Sequence, residues 1–161
     1  MNALDFGLPQ KRERVIIVGF TSAAACEQFN FDFEPIAYNL ASVLEDDKNV
    51  DSSLFASDMI LDKRRKRVEG KNVFYPSVWH ENKSGNISIL PYACALRTGA
   101  SYNYLLINGY RRPSSRELLR FQGFPEKFKI EVSHQEIRRQ TGNSVAVPMI
   151  RAVAKKIIQL L

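Results

Sequence analysis

Four charged residues, Lys11-Arg12-Glu13-Arg14, run directly into six uncharged ones, Val15-Ile16-Ile17-Val18-Gly19-Phe20. This junction constrains the fold more than any other feature of the chain. The apolar run does not alternate with polar residues, so it predicts a strand buried on both faces. Such a strand needs neighbouring strands and covering helices, usually supplied as βαβ units. No second buried run followed by a long helix recurs in the 161 residues. The strand therefore reads as one piece of a sheet domain whose other strands are absent here.

The middle of the chain is irregular. It carries FNFDFEP from Phe29, the acidic Glu45-Asp46-Asp47, and the basic run from Asp62 to Arg67. Short alternating pieces, NVFYPSVW and NISIL, precede LLI and an Asn108-Gly109 turn, which predicts a small twisted β layer. The last third is more regular. Ser114 with Glu117 and Ser133 with Glu136 have capping-box spacing, so one short helix should stop near Gly123 and another run to about Gln140. Ile150, Val153, Ala154, Ile157, Ile158 and Leu161 lie on one face of a final helix. Pro148 falls in its first turn, with Asn143 and Ser144 placed to cap it.

Composition narrows the class. With 45% hydrophobic and 25% charged residues the chain should fold rather than stay disordered. A net charge of +6 favours an anionic partner, nucleic acid first. Cys26 and Cys94 match no zinc spacing, and His80 and His134 add no cluster, so no metal site is predicted. Both cysteines are expected to pack as small, unreactive side chains. Few cysteines and no signal peptide point to the cytoplasm, and no apolar run is long enough for a membrane span.

Three segments carry candidate chemistry. In PQKRER, Arg12 and Arg14 at i, i+2 would point the same way in an extended chain and could offer two planar forks to one ligand, or simply cap a strand. TGNSVAVP offers a polar turn that could hold a small molecule or merely cap a helix. In RELLRFQGFP, Glu117 between Arg116 and Arg120 fits a structural ion pair.

In this order the three segments resemble conserved motifs of the DNA (cytosine-5) methyltransferases. MNALDFGLPQKRERVIIVGF is similar to the eighth motif, whose Gln-x-Arg-x-Arg core matches at Gln10, Arg12 and Arg14. SSRELLRFQGFPEKFKI resembles the ninth, at Arg116, Glu117, Arg120, Gln122, Gly123, Phe124 and Pro125. QTGNSVAVPMIRAVAKKI resembles the tenth, Gly142 through Val145. The resemblance implies an α/β chain: the C-terminal part of a Rossmann-like methyltransferase fold, an edge strand plus closing helix, with a small β-rich target-recognition domain. The boundaries it implies are 1–30 for the edge strand and active-site loop, 31–108 for target recognition, 109–132 for a connector, and 133–161 for the returning helices.

The resemblance also implies roles. Arg14, with Arg12 in support, would lie around a cytosine flipped out of duplex DNA. Asn143, Ser144 and Val145 would contact S-adenosyl-L-methionine. Gln10, Arg116, Glu117, Arg120 and Gly123 would be structural. In the zone that the family uses for recognition, Arg97, Thr98, Ser101 and Asn103 have base-reading side chains, with Tyr102 for packing or stacking. Lys63, Arg64 and Arg65 suit phosphate contact or a solvated loop. Lys71, Trp79, His80 and Lys83 are placed on the same face.

The departures are as informative. The family's nucleophile sits in a Pro-Cys loop, but Cys26 follows Ala25 and Cys94 follows Ala93. The Gly-rich cofactor loop is missing. Glu81-Asn82-Lys83 falls after the eighth motif rather than before it, so it reads as a surface turn and not as the family's Glu-Asn-Val. The leading expectation is one subunit of a split restriction-modification enzyme, inactive alone and completed by an N-terminal partner. An inert remnant and a stand-alone DNA-binding module stay open beside it. The unpartnered strand predicts self-association of the isolated chain.

Overall fold

In the computed structural model, which describes residues 1–101 and 103–161, helices are α1 (Ala23–Gln28), α2 (Asp58–Arg67), α3 (Ser115–Phe121), α4 (His134–Asn143) and α5 (Val147–Ile158). Strands are β1 (Gln10–Lys11), β2 (Val78–Glu81), β3 (Ile87–Leu90), β4 (Ala93–Cys94) and β5 (Leu106–Ile107). The capping sequences act as expected. Ser114 Oγ accepts from the Glu117 amide, and Glu117 Oε2 accepts from the Ser114 amide at 2.8 Å, closing a full box at the start of α3. At α4 only half the box forms: Ser133 Oγ accepts from the Glu136 amide, while the Glu136 carboxylate turns to Arg139 and Gln140.

Strands β3, β2 and β5 form an antiparallel sheet in that order, with Val78 opposite both Leu90 and Ile107. The turn after β5 places Asn108 and Gly109 at φ of 52° and 78°. Only a residue without a Cβ fits the second position, because a Cβ there would stand 2.5 Å from Trp79 Cε3. The main core joins this sheet to the helices through Val78, Leu105, Ile107, Leu118, Phe121 and Ile137.

β1 pairs in parallel with β4, Gln10 opposite Ala93. That pairing carries the QKRER segment to the stretch leading into Leu96 and Arg97. A second apolar cluster, Ala3, Phe6, Leu8, Ala146 and Met149, brings the two ends of the chain together. Gly123, at φ 77°, allows the α3 turn to meet α5, where a Cβ would lie 2.4 Å from Pro148 Cδ.

Several expectations need correction. The Val15–Phe20 run forms no ladder: Val15 is 89% and Ile17 90% exposed. The strand instead ends at Lys11, and the segment then follows the N-terminus, with Ala3 donating to the Arg12 carbonyl and Arg14 to that of Met1. Among the described residues no strand lies alongside it. The basic run is helical, because Asp58 in its first turn and four basic residues in its last suit the helix dipole. The Gly-Asn-Ser turn ends α4 rather than starting α5, whose N-cap is Ala146. Cys26 is exposed rather than packed.

Glu117 pairs with Arg111 and not with its helical neighbours. Both are almost fully buried and meet through two contacts of 2.8 Å. Burial works against the Arg111 cation, but the hydrogen bonds and charges of Glu117 and Asp47 outweigh it, so its pKa stands above its ordinary value. Arg116 and Arg120 turn to Glu126 instead.

Removing one member of a buried pair strands the other charge. We expect Glu117→Gln or Arg111→Met each to destabilise the chain by about 3–5 kcal/mol in urea unfolding, and the double Arg111→Met/Glu117→Leu by less than their sum; additive losses would contradict the pairing. Burial, followed by nearby arginines, holds the His80 and His134 pKa values below the ordinary histidine value. Their folded pKa values are lowered, so stability is full above the unfolded value of about 6.5 and falls as pH drops through it. Urea unfolding from about pH 7.5 to about pH 5 should show that decline, flattened in His80→Gln/His134→Gln; an unchanged decline would assign it to other groups.

Candidate nucleic-acid interface and cofactor turn

The site is organised from β1 outward. Gln10 is fully buried and bonds in two directions: Nε2 donates to the Phe121 carbonyl at 2.7 Å, and Oε1 accepts from the Leu96 amide at 3.1 Å. Its side chain thereby fixes α3 against the segment leading into the Arg97–Ser101 loop. Gln122 adds a second tie one layer away: its Nε2 donates to the Thr141 carbonyl at 2.6 Å and its backbone carbonyl accepts from the Val147 amide at 2.8 Å, while its Oε1 is buried without a partner.

Arg12 and Arg14 do not face one ligand. Arg12 is 2% exposed, and its guanidinium holds three carbonyls: Leu96 at 2.9 Å, Gly142 at 3.1 Å and Ser144 at 2.5 Å. Burial, then Arg14, push its pKa below the ordinary value. Arg14 is exposed, its Nη1 donating to the Glu13 carbonyl at 2.6 Å. The i, i+2 rule fails because the strand ladder stops at Lys11, so the two side chains no longer share a pleat. Of the two, Arg14 is the one within reach of a ligand.

The loop from Arg97 to Ser101 projects between two clefts. One is bordered by Ser133, Gln135 and Arg139, the other by His80, Asn82 and Lys83. Its base is rigid. Tyr104 is buried, its hydroxyl accepts from the Arg97 amide, and the Arg97 guanidinium lies 5.5 Å from the ring centroid. Arg138 donates to the Ala100 and Ser101 carbonyls. Gly99, at φ 72°, lets the tip reverse. Arg97 and Ser101 are exposed at this loop; Asn103 is exposed beyond it and borders a separate cleft with Phe55 and Ile60, and Tyr102 lies outside the described residues. Thr98 is exposed but occupied: its hydroxyl donates to Asn143 Oδ1 at 2.7 Å.

The basic helix divides by burial. Arg64 is 3% exposed, with Nε on Glu81 at 3.1 Å and Nη1 on the Gly109 carbonyl at 3.0 Å, so it cannot reach a phosphate. Its expected role is corrected: it anchors α2 to the sheet because its position turns inward. Lys63 and Arg65 are exposed, Arg65 paired with Asp62 at 3.0 Å. Glu81, read as part of a surface turn, ends β2 and accepts from Arg64 and Arg67. Trp79 is buried and Lys71 is committed to the Ile87 carbonyl, which leaves His80 and Lys83 of that expected face lining a cleft.

The tenth-motif turn lies against the loop. Asn143 and Val145 are exposed, Val145 by 47%. Ser144 Oγ donates to the Thr141 carbonyl at 3.0 Å. Gly142 is a residue that sequence reading passed over. A Cβ there would stand 2.5 Å from the Thr98 nitrogen, so the glycine permits loop and turn to touch. Its place in the GNSV match was the available signal. Cys94 is partly buried, and burial pushes its thiol pKa up, which suits packing rather than attack. Among the described residues no three His, Cys, Asp or Glu side chains gather as for a metal, and no helix is long and apolar enough to cross a membrane.

Comparison with known proteins places this geometry. The C-5 cytosine-specific DNA methylase profile matches residues 1–159. Type II methyltransferase M.HaeII of Haemophilus aegyptius is 49% identical over 164 residues, taking in 100% of this chain and 50% of the relative. M.NgoBI of Neisseria gonorrhoeae is 51% identical over 158 residues, 96% of this chain and 48% of the relative. The chain thus spans about half the length of the curated relatives it matches. A Spodoptera frugiperda DNMT2 mutant structure superposes on 98% of this chain and 56% of its own, with a TM-score of 0.59 and 15% identity. The Entamoeba histolytica methyltransferase EhMeth covers 99% and 52%, with a TM-score of 0.55 and 14% identity. These two share the fold. With a profile match along almost its whole length and relatives near half-identical over it, this chain belongs to the C-5 cytosine-specific DNA methylase family.

Proposed function

We propose that this chain is the DNA-recognition and cofactor-closing part of a cytosine-5 methyltransferase of a restriction-modification system. In this reading a second segment, as a partner chain or domain, carries the Gly-rich loop, the Pro-Cys nucleophile and the Glu-Asn-Val. The observation that carries it is the Val15–Phe20 run: anchored by buried Gln10 and Arg12, it leaves Val15 and Ile17 almost fully exposed while Ile16, Val18 and Phe20 are half-buried, in a chain that spans about half the length of its relatives. Burying Val15 and Ile17 against a completed sheet would contribute about 1.5–3 kcal/mol for each side chain.

The roles divide by exposure. Arg97, Ser101 and Asn103 read base edges, Lys63, Arg65 and Lys83 contact phosphates, and Arg14 reaches the flipped cytosine or the loop beside it. S-adenosyl-L-methionine supplies the activated methyl group when bound. The residues present fit one wall of its site, because Asn143, its Oδ1 taken by Thr98, offers its amide NH2 as a donor, and Val145 an exposed apolar side chain on the same turn. The remaining wall belongs to the second segment.

A second reading, a DNA-binding module acting alone, draws support from the main core, Leu40 through Ile137, which is built from this chain's own residues. Gel shift of the isolated chain separates the two: tight, sequence-selective binding alone supports the module, and weak or absent selectivity supports the partnered enzyme. Self-association through Val15 and Ile17 is expected by size-exclusion, and a monodisperse monomer would count against their stickiness.

The catalytic reading is tested by mixing. This chain plus the remaining half of a relative such as M.HaeII should transfer labelled methyl from S-adenosyl-L-methionine to DNA, with neither half active alone. Arg14→Ala should lower the rate at least about tenfold. Transfer by this chain alone, or no transfer from a stably assembled pair, would sink the proposal. In the same assembly Arg97→Ala should weaken binding to the preferred sequence by about 1–3 kcal/mol. Lys63→Ala should weaken all sequences alike and reduce the salt slope by about one; the opposite pattern would exchange their roles.

A further inference from the structure

The recognition loop and the cofactor turn are separated by more than forty residues of sequence yet touch at three points around one buried side chain. Arg12 Nη1 donates to Leu96, the residue before the loop, and Nη2 donates to Gly142 and Ser144, on either side of Asn143. Thr98 Oγ1 donates to Asn143 Oδ1 at 2.7 Å, inside the candidate cofactor turn. Gly142 lies so close to the Thr98 nitrogen that no Cβ could be inserted.

From this juxtaposition we infer that Arg12 is a positioning residue that couples DNA engagement by the Arg97–Ser101 loop to the order of the Gly142–Ala146 turn. The inference rests on the proposed DNA-reading role of that loop. Its physical basis is geometric. A guanidinium is a rigid planar fork, so its two outer nitrogens cannot follow Leu96 and Ser144 independently. The Nε is buried without a partner, so the outer nitrogens alone set its orientation. Water cannot fill a displaced contact, because Arg12 is 2% exposed. A loop fixed by DNA therefore fixes the fork, and the fork fixes the turn. By linkage, whatever binds the turn favours the loop arrangement that DNA selects.

Two changes separate the parts. Arg12→Lys keeps the charge but cannot span three carbonyls. Thr98→Val keeps the shape of the loop residue and removes its hydroxyl bonds to the end of α4, to Asn143 Oδ1 at 2.7 Å and to the Arg139 carbonyl at 3.3 Å. Amide hydrogen exchange is measured on the full chain with and without a short DNA duplex of randomised sequence. In the wild type, DNA should slow exchange at residues 97–101 and also at Ser144, whose amide bonds to Gln140, by at least about fivefold. In both variants DNA should still protect the loop, with the effect at Ser144 reduced or lost. If Arg12→Lys does not fold, Arg12→Gln, whose single amide NH2 cannot hold all three carbonyls, takes its place.

Protection of the loop with no change at Ser144 in the wild type overturns the coupling and leaves the DNA-reading role standing. Undiminished transmission in a folded Arg12 variant also overturns it, whatever Thr98→Val shows. If DNA protects neither segment, the DNA-reading role fails and the coupling with it. A merely structural Arg12 would change exchange equally with and without DNA, so the DNA-dependent difference is the deciding quantity.

Discussion

A guanidinium without a carboxylate partner, sealed from water, is an uncommon thing to build on, and Arg12 is that group here. Each of its three bonds to carbonyls is charge-assisted and contributes about 1.5–3 kcal/mol. Removing the cation from water costs several kcal/mol. At 2% exposure Arg12 has little water to replace a lost carbonyl, so the arrangement tolerates little displacement of any of the three. Those carbonyls belong to the end of the strand β4 region and to the end of α4, and the N-terminal segment carries the arginine. Three stretches distant in sequence are thereby held in one geometry.

Arg111 solves the same problem differently. Its cation meets Glu117 through two bonds of 2.8 Å, with Asp47 as a second carboxylate at 2.7 Å. Opposite charge offsets its desolvation, and the pair fastens α3 to the turns that precede α2. One buried arginine thus ties α3 to the turn at Asp47, while the other joins the N-terminal segment to Leu96 and to the end of α4. Arg97, Arg14 and Lys63 remain outside, with their charges available to a polyanion.

Local signals were legible in the sequence because they depend on neighbours a few residues apart. The Ser114–Glu117 box, the Gly123 stop, the Asn108-Gly109 turn and Pro148 in the first turn of α5 all appear where spacing placed them. Burial of charge was not legible. Nothing within Lys63-Arg64-Arg65 distinguishes Arg64, because its inward direction is set by Glu81 and Gly109, which lie far along the chain. Arg12 was misjudged for a related reason: the i, i+2 rule assumes a strand that continues, and the ladder ends at Lys11. Gly142 was visible only as part of a motif, since its use is an inter-element contact. The family itself was legible from motif order, and the profile match bears that out.

The account turns on the Val15–Phe20 run being a sheet strand that waits for strands from elsewhere. Amide exchange at Ile16, Ile17 and Val18 tests this most directly, measured before and after adding the remaining half of a relative such as M.HaeII. The account predicts exchange near the rate of an open chain when the protein is alone and monomeric, and strong protection in the assembled pair. Equal protection in both states, or continued fast exchange in a stable pair, would contradict it.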